Sequence, residues 1–389
     1  MPYEVKLTVV GAGVIGCAVA WELSRSGREV FVLEKNPGIT RGENQSSRNS
    51  GVIHAGLYYD RSTRPLKAGL CSEGNTLLYR FCQKNRIPFR QTGKLVVATN
   101  TEEKTVLDMY LQRAIENGVP VKLVTGSQAN ELEPCVKAIA ALLLPTSGII
   151  DPTAFVHKLH LLAAENGTQF FTQTKVVGIE TLKEGLAVEI EYRDGARDTF
   201  ITKQLVNAGG LYGDEVARMV QPASTYLIDP LRSEAMKFYR TKRQDLMLRG
   251  MNIYPTPRKV TTEQDTYFTV GVHLTPTLMP SATGESTIGP EVTVGPLNRQ
   301  AFHKEDYGGA YQPAKLFYEQ IRPFFPGVRQ DDLVPHQTGI QARLAGHQDW
   351  VIDFSAGDRR CLNLLGIDSP GLTGSLAIAR YVKKLLASG

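Results

Sequence analysis

The order of apolar and polar positions is most distinctive at the start of the chain. Residues 5–10 read VKLTVV, a short strand-like run rich in β-branched residues, followed at once by GAGVIG over residues 11–16. The next stretch, Cys17 to Gly27, carries helix-like spacing, and residues 30–33 read VFVL before Glu34. The pattern therefore predicts strand, glycine turn, helix, strand and acid in that order. Further along, Leu77, Leu78 and Phe81 predict a helix over 74–86, and KLVVA predicts a strand over 94–98. A charged amphipathic helix spans 101–117 and stops at Gly118, and a shorter one spans 126–133 before Pro134. Residues 138–144 are apolar enough for a strand. Asp151 and Pro152 mark a helix start, with the helix running to Asn166 and stopped by Gly167. Strands are expected at 168–171 and 175–179, and the turns Glu184-Gly185 and Asp194-Gly195 give a small meander over 170–203. Residues 218–335 alternate and are rich in prolines, which suits an antiparallel sheet, with a loop over 276–286 and one helix within 311–324. Strands at 350–354 and 361–366 precede a last helix from about 371 to 386.

The opening unit carries a physical reading. Gly11 permits the tight turn, Gly13 lets a pyrophosphate approach the backbone, and Gly16 lets the helix lie close to the sheet. Val14 and Ile15 begin that helix, whose free N–H groups attract phosphate. Glu34 accepts hydrogen bonds from an adenosine ribose and, with Lys35, forms the rim; its charge opposes the 2′-phosphate of NADP. Residues 39–53, ITRGENQSSRNSGVI, form a polar connection in which Ser46, Ser47, Asn49, Ser50 and Gly51 surround Arg48. Such a loop either lies on the surface or wraps the phosphates of a cofactor. Two later places supply glycine-rich backbone: the strand end at Ala208, Gly209 and Gly210, and the loop from Gly366 through Gly371, Leu372 and Thr373 into the last helix. The second of these, at a helix N-terminus, stabilises negative charge.

The fold class that follows is α/β (α+β overall), a Rossmann-like nucleotide-binding domain with a discontinuous second domain built on an antiparallel sheet. The nucleotide domain is expected from 1–75, 146–215 and 336–389, and a substrate-covering roof from 76–145 and 216–335.

Bulk properties narrow the function classes. The 389 residues suffice for two cores, and 42% hydrophobic with 21% charged residues is ordinary for a globular enzyme. A net charge of +5 without a Lys/Arg block argues against nucleic acid and weakly favours a small anionic substrate. Five cysteines without a CxxC pair suggest a reduced, cytoplasmic chain. The first strand begins within five residues, so no signal segment is expected, and no apolar stretch is long enough for a transmembrane segment. Peripheral membrane contact stays open. Of the seven histidines, His157 and His160 share a helix but lack a cysteine partner, so no metal site is expected.

Several longer fragments go further. RNSGVIHAGLYY (48–59), GKLVVAT (93–99), GIIDPTAF (148–155), VNAGGLYGD (206–214), NIYPTP (252–257), GVHLTP (271–276) and GIDSPGLTGSLAIA (366–379) together resemble the L-2-hydroxyglutarate dehydrogenase/oxidase family. These are FAD enzymes of the D-amino-acid-oxidase-like superfamily. The resemblance implies non-covalent FAD, adenine contacts from the backbone at Val177, a second approach to the cofactor at Ala208 and Gly209, and reduced flavin as the charge at the loop 366–373.

Oxidising a secondary alcohol requires a base for the hydroxyl proton, and a neutral imidazole is suited to that. His54, between apolar residues and glycines, is the first choice and His273 the second. Lys94, Tyr58, Tyr254, Arg232 and Arg343 are the candidates for binding carboxylates. Two positions depart from the family: Gln341 stands where an arginine is usual, two residues before Arg343, and Ser233 stands where glycine is usual. The resemblance implies oxidation of L-2-hydroxyglutarate to 2-oxoglutarate by hydride transfer to flavin N5. An amino-acid or amine oxidase, a glycerol-3-phosphate oxidase or dehydrogenase, and a non-catalytic flavin-binding protein are the alternatives. Oxygen, a quinone and an electron-transfer protein all remain compatible as acceptor.

Overall fold

The computed structural model describes residues 3–42, 44–246, 248–261, 266–279 and 286–388. Strand Glu4–Val10 is buried along most of its length because it lies inside an eight-stranded sheet with helices over it. It pairs in parallel with Val30–Leu33 on one side and Arg197–Asn207 on the other. Gln169–Phe171 extends the parallel run beyond Val30–Leu33, and Asp358–Leu365 pairs in parallel with Arg197–Asn207. A strand covered on both faces needs an apolar side chain at nearly every position, as residues 5–10 and 30–33 supply. Leu7 and Val9 face helices Val14–Ser24, Pro152–Glu165 and Gly371–Ala387, while Val5 and Val10 face Leu186, Val188 and Val216. The expected meander is present as Thr174–Thr181, Leu186–Tyr192 and Arg197–Asn207.

A second eight-stranded sheet runs in the order Val334–Leu344, Ile228–Tyr239, Thr287–Gln300, His273–Met279, Asn252–Pro255, Lys94–Ala98, Ala140–Leu144, Lys122–Thr125. It is antiparallel except where Asn252–Pro255 runs parallel to Lys94–Ala98, so the roof is a mixed sheet. A small three-stranded sheet joins Val52–Ile53, Gly148–Ile150 and Phe89–Arg90. The expected loop over 276–286 is strand as far as Met279, and strand resumes at Thr287; 280–285 lie outside the described residues.

Helix Pro152–Glu165 starts as read from the sequence, with the Asp151 side chain accepting a hydrogen bond from Ala154 N at 3.0 Å. Three expected boundaries need correction. The helix expected at 74–86 begins at Pro65 and passes through the boundary set at 75. Its first half holds Gly69, Ser72 and Gly74, poor helix formers. Gly74 is required there because a Cβ would sit 2.3 Å from Thr373 O on the last helix. Helix Gly213–Val220 buries Val216 against the first sheet, so the chain leaves that layer after 220 rather than at 216. Strand Val334–Leu344 belongs to the second sheet, in register with Ile228–Tyr239 from Ile228↔Leu344 to Lys237↔Val334. The chain therefore re-enters the first layer at Val351–Ser355, not at 336. Among the described residues no helix is long and apolar enough to cross a membrane.

Candidate active site

The glycine turn forms one wall of a groove. Gly11 has φ +97°, in the region that disfavours a side chain, and a Cβ there would lie 2.5 Å from Ala208 O. A Cβ at Gly16 would lie 1.8 Å from Gly11 O. Absence of side chains at both positions lets the first helix, the first strand and the 208–210 turn meet. The groove has a volume of about 410 Å³ and is lined by Gly11, Gly13, Val14, Ile15, Glu34, Lys35, Val177, Ala208 and Gly209 among others. The Glu34 carboxylate is buried at its rim and accepts hydrogen bonds from Ala12 N and Asn36 N, both at 2.8 Å. Lys35 lines the groove but pairs with Glu305 at 2.7 Å and lies over the Tyr212 ring.

The loop 44–51 holds its own shape. Ser47 Oγ donates to backbone carbonyls of Gly42 and Asn44, and Asn49 Nδ2 donates to Gln45 O and Ser46 O while its Oδ1 accepts from Gly51 N. Ser46, rather than Ser47, reaches the helix: its Oγ accepts from Val14 N at 2.8 Å. Arg48 and Ser50 complete the turn, and Gly51, at φ +64°, passes close to Ile150 O. Gly366 adopts φ +67°, and Ile367 after it lines the groove. Gly371 and Leu372 start the last helix, and Thr373 Oγ1 accepts from His54 N at 3.0 Å.

His54 is thus tied to the last helix through its backbone, and its carbonyl accepts from Asn75 Nδ2 at 2.9 Å. Its ring Nε2 lies 3.3 Å from Ser369 Oγ, and its Nδ1 is buried without a hydrogen-bond partner among the described residues. Across from it, Lys94 is 2% exposed, and its ammonium sits 3.6 Å above the Tyr254 ring and 5.6 Å from the Tyr58 ring. His273 stacks on Tyr254 at 3.7 Å and 9°. The Tyr58 hydroxyl is also buried without a partner among the described residues. Burial pulls Lys94 down to about 7. Burial, and then the nearby Lys94 charge, lowers both His54 and His273 well below the usual histidine value. Both imidazoles are therefore neutral near pH 7.

Five of the candidates predicted from the sequence, His54, Tyr58, Lys94, Tyr254 and His273, meet in one cluster. Arg232 is placed differently: it is fully buried, ion-paired to Glu234 at 2.7 Å and to Asp306 at 2.9 Å. Two carboxylates hold this guanidinium through Nε and Nη1, while its Nη2 is buried without a hydrogen-bond partner among the described residues. Arg343 lies half-buried opposite Asp229 on the edge strand, with four strands between it and the Lys94 strand. The two unusual residues adjoin each other: Gln341 Nε2 donates to Ser233 Oγ, which donates to Asn298 Oδ1, each at 2.7 Å. The strand face shared by Gln341 and Arg343 also carries Gly339, whose Cα abuts Arg48 O, and Gln337, which donates to Asn49 O. Ser369 was missed because a serine before proline in a loop carries no periodic signal. Among the described residues no three metal-ligating side chains converge.

A pyrophosphate cradle with an acid at its rim, facing a buried cluster of neutral imidazoles and one ammonium, defines a dinucleotide-dependent redox protein rather than a hydrolase. The chain belongs to the DAO family, FAD dependent oxidoreductases, whose match covers residues 6–385. It is 32% identical to the mitochondrial L-2-hydroxyglutarate dehydrogenase of Arabidopsis thaliana, over 97% of this chain and 83% of that one. It is 30% identical to the glycerol 3-phosphate dehydrogenase of Caloramator mitchellensis, over 98% and 73%. Among solved structures, the dithionite-reduced, FAD-bound L-alpha-glycerophosphate oxidase of Mycoplasma pneumoniae superposes with a TM-score of 0.84 at 25% identity, covering 99% of this chain and 95% of that one. The protein is an FAD-dependent oxidoreductase, and the groove along Gly11, Glu34, Val177 and Ala208 fits the ADP half of its cofactor.

Proposed function

We propose that the protein oxidises an L-2-hydroxy acid with a distal carboxylate, L-2-hydroxyglutarate best of all, to the 2-oxo acid. The carrying observation is the buried Lys94 ammonium, which has no carboxylate partner among the described residues, set in one cluster with a neutral His54. FAD, held non-covalently, supplies the acceptor for the hydride from C2. The groove residues Gly11, Gly13, Glu34, Val177 and Gly209 would hold its nucleotide, and the loop 366–373 would stabilise charge developing on it. His54 takes the hydroxyl proton at Nδ1, while Ser369 at Nε2 fixes the ring. Lys94, with the Tyr58 hydroxyl and Tyr254, binds one carboxylate. His273 holds Tyr254 flat beneath the ammonium. The two sheets divide this work, the first carrying the nucleotide and the second closing over the substrate. Similarity to the Caloramator and Mycoplasma proteins favours glycerol 3-phosphate as the second reading, since a phosphate would also pair with Lys94.

The test is anaerobic reduction of the flavin by L- and D-2-hydroxyglutarate, L-malate, L-lactate, glycerol 3-phosphate and small amino acids. L-2-hydroxyglutarate should be the fastest. L-lactate should be slower because it leaves a buried cation unpaired. Glycerol 3-phosphate or an amino acid in first place would overturn the substrate assignment.

A further inference from the structure

We propose that Lys94 takes up a proton when a carboxylate of the substrate docks against it, so that the anion and a proton enter the site together. This rests on the proposed oxidation and adds a coupling to it. Lys94 lies on strand Lys94–Ala98 between Leu144 and Asn252, neither of which bears a charge. The titratable groups acting on it or on its neighbours are His54, Tyr58, Cys71, Tyr110, Tyr254 and His273. None is a carboxylate. In place of a counter-ion the ammonium has the face of Tyr254 at 3.6 Å, a contact that compensates only part of its lost hydration. The Tyr58 hydroxyl and His54 Nδ1, buried without partners among the described residues, belong to the same cluster, so three polar groups there await an acceptor or donor.

Burial holds Lys94 at about 7, so above that pH most of the free enzyme carries a neutral amine there. A carboxylate within ion-pair distance favours the charged form and raises that value. Binding above pH 7 then draws a proton from solvent, and affinity falls as pH rises. His54 and His273 cannot be the source, because both titrate well below 6.5.

The probe is glutarate, a dicarboxylate without a hydroxyl to oxidise, bound to the FAD-loaded enzyme. Flavin absorbance reports affinity, and calorimetry in buffers of different protonation enthalpy reports proton uptake. Uptake should approach about one proton per glutarate at about pH 8.5 and vanish near about pH 5.5, with affinity falling roughly tenfold per pH unit above 7. Lys94→Arg should bind glutarate without uptake, and Lys94→Gln should bind weakly without uptake. The inference is overturned if glutarate does not bind the parent at about pH 6, if its binding is independent of pH, or if Lys94→Gln shows the parent's proton uptake. Glutarate binding without uptake would remove this coupling and leave the oxidation reading to the substrate panel. Proton uptake with failure of that panel would do the reverse.

Discussion

His54 is fixed at three points, Thr373 at its N–H, Asn75 at its carbonyl and Ser369 at Nε2, which leaves Nδ1 as the atom able to move a proton. His54→Gln should retain FAD and slow anaerobic flavin reduction by roughly 10²–10⁴-fold, as for a positioned general base. Equal reduction rates in mutant and parent would exclude this role. Because the imidazole value is lowered, the His54-dependent rate should persist through pH 6.5 and decline only well below it. Lys94 gives a stability prediction of known sign. Its folded value, about 7, lies below the ordinary 10.5, so the unfolded chain binds the extra proton. The resulting deficit is full below pH 7 and shrinks as pH rises towards 10.5. Lys94→Met should therefore unfold later than the parent at neutral pH, by roughly 1–4 kcal/mol, while losing activity. Thermal melts of both proteins across that range check it. Arg232→Ala is the contrasting case: breaking a buried ion pair should cost about 3–5 kcal/mol. In urea melts the variant should be weakened, while its ranking of substrates in the surviving folded enzyme stays that of the parent.

Among the elements, helices Pro65–Asn85 and Gly371–Ala387 carry the imidazole between them, through Asn75 and Thr373. Their closeness depends on Gly74. Gly74→Val should cost about 1–3 kcal/mol by overpacking and reduce catalysis by displacing Thr373. A Gly74→Val protein with the parent's melting point and rate would show the contact to be unimportant. Which elements were legible in the sequence follows from the same packing. Pro152–Glu165 could be read because Asp151 and Pro152 act locally, and Glu4–Val10 because its buried Val5, Leu7, Val9 and Val10 leave few polar positions. The first half of Pro65–Asn85 could not, since its Gly74 serves a partner helix that is remote in sequence, at Thr373, which local propensity does not register. Val334–Leu344 was assigned to the wrong layer because its apolar alternation suits either sheet, and only its register with Ile228–Tyr239 decides. For the site, histidines and tyrosines in glycine-rich fragments stood out. That Lys94 would be buried without a carboxylate and Arg232 buried with two was not legible, because charge pairing across a sheet leaves no trace in residue order.

On the scale of the whole molecule, two mixed sheets are each assembled from separated stretches of chain, and the buried cluster draws on both layers. His54 hangs from the last helix of the first layer, while Lys94, Tyr254 and His273 belong to neighbouring strands of the second. In the proposed oxidation, Lys94 of the second layer would grip the substrate and His54, tied to the first, would deprotonate it. In the proposed reaction, C2 of an L-2-hydroxy acid gives up its hydrogen to the flavin. Its most direct test is anaerobic mixing of the FAD-loaded enzyme with L-2-hydroxyglutarate, unlabelled or deuterated at C2, without added nicotinamide. The flavin should bleach in a single turnover, clearly slower with deuterium at C2. A flavin that stays oxidised in the presence of L-2-hydroxyglutarate would contradict it.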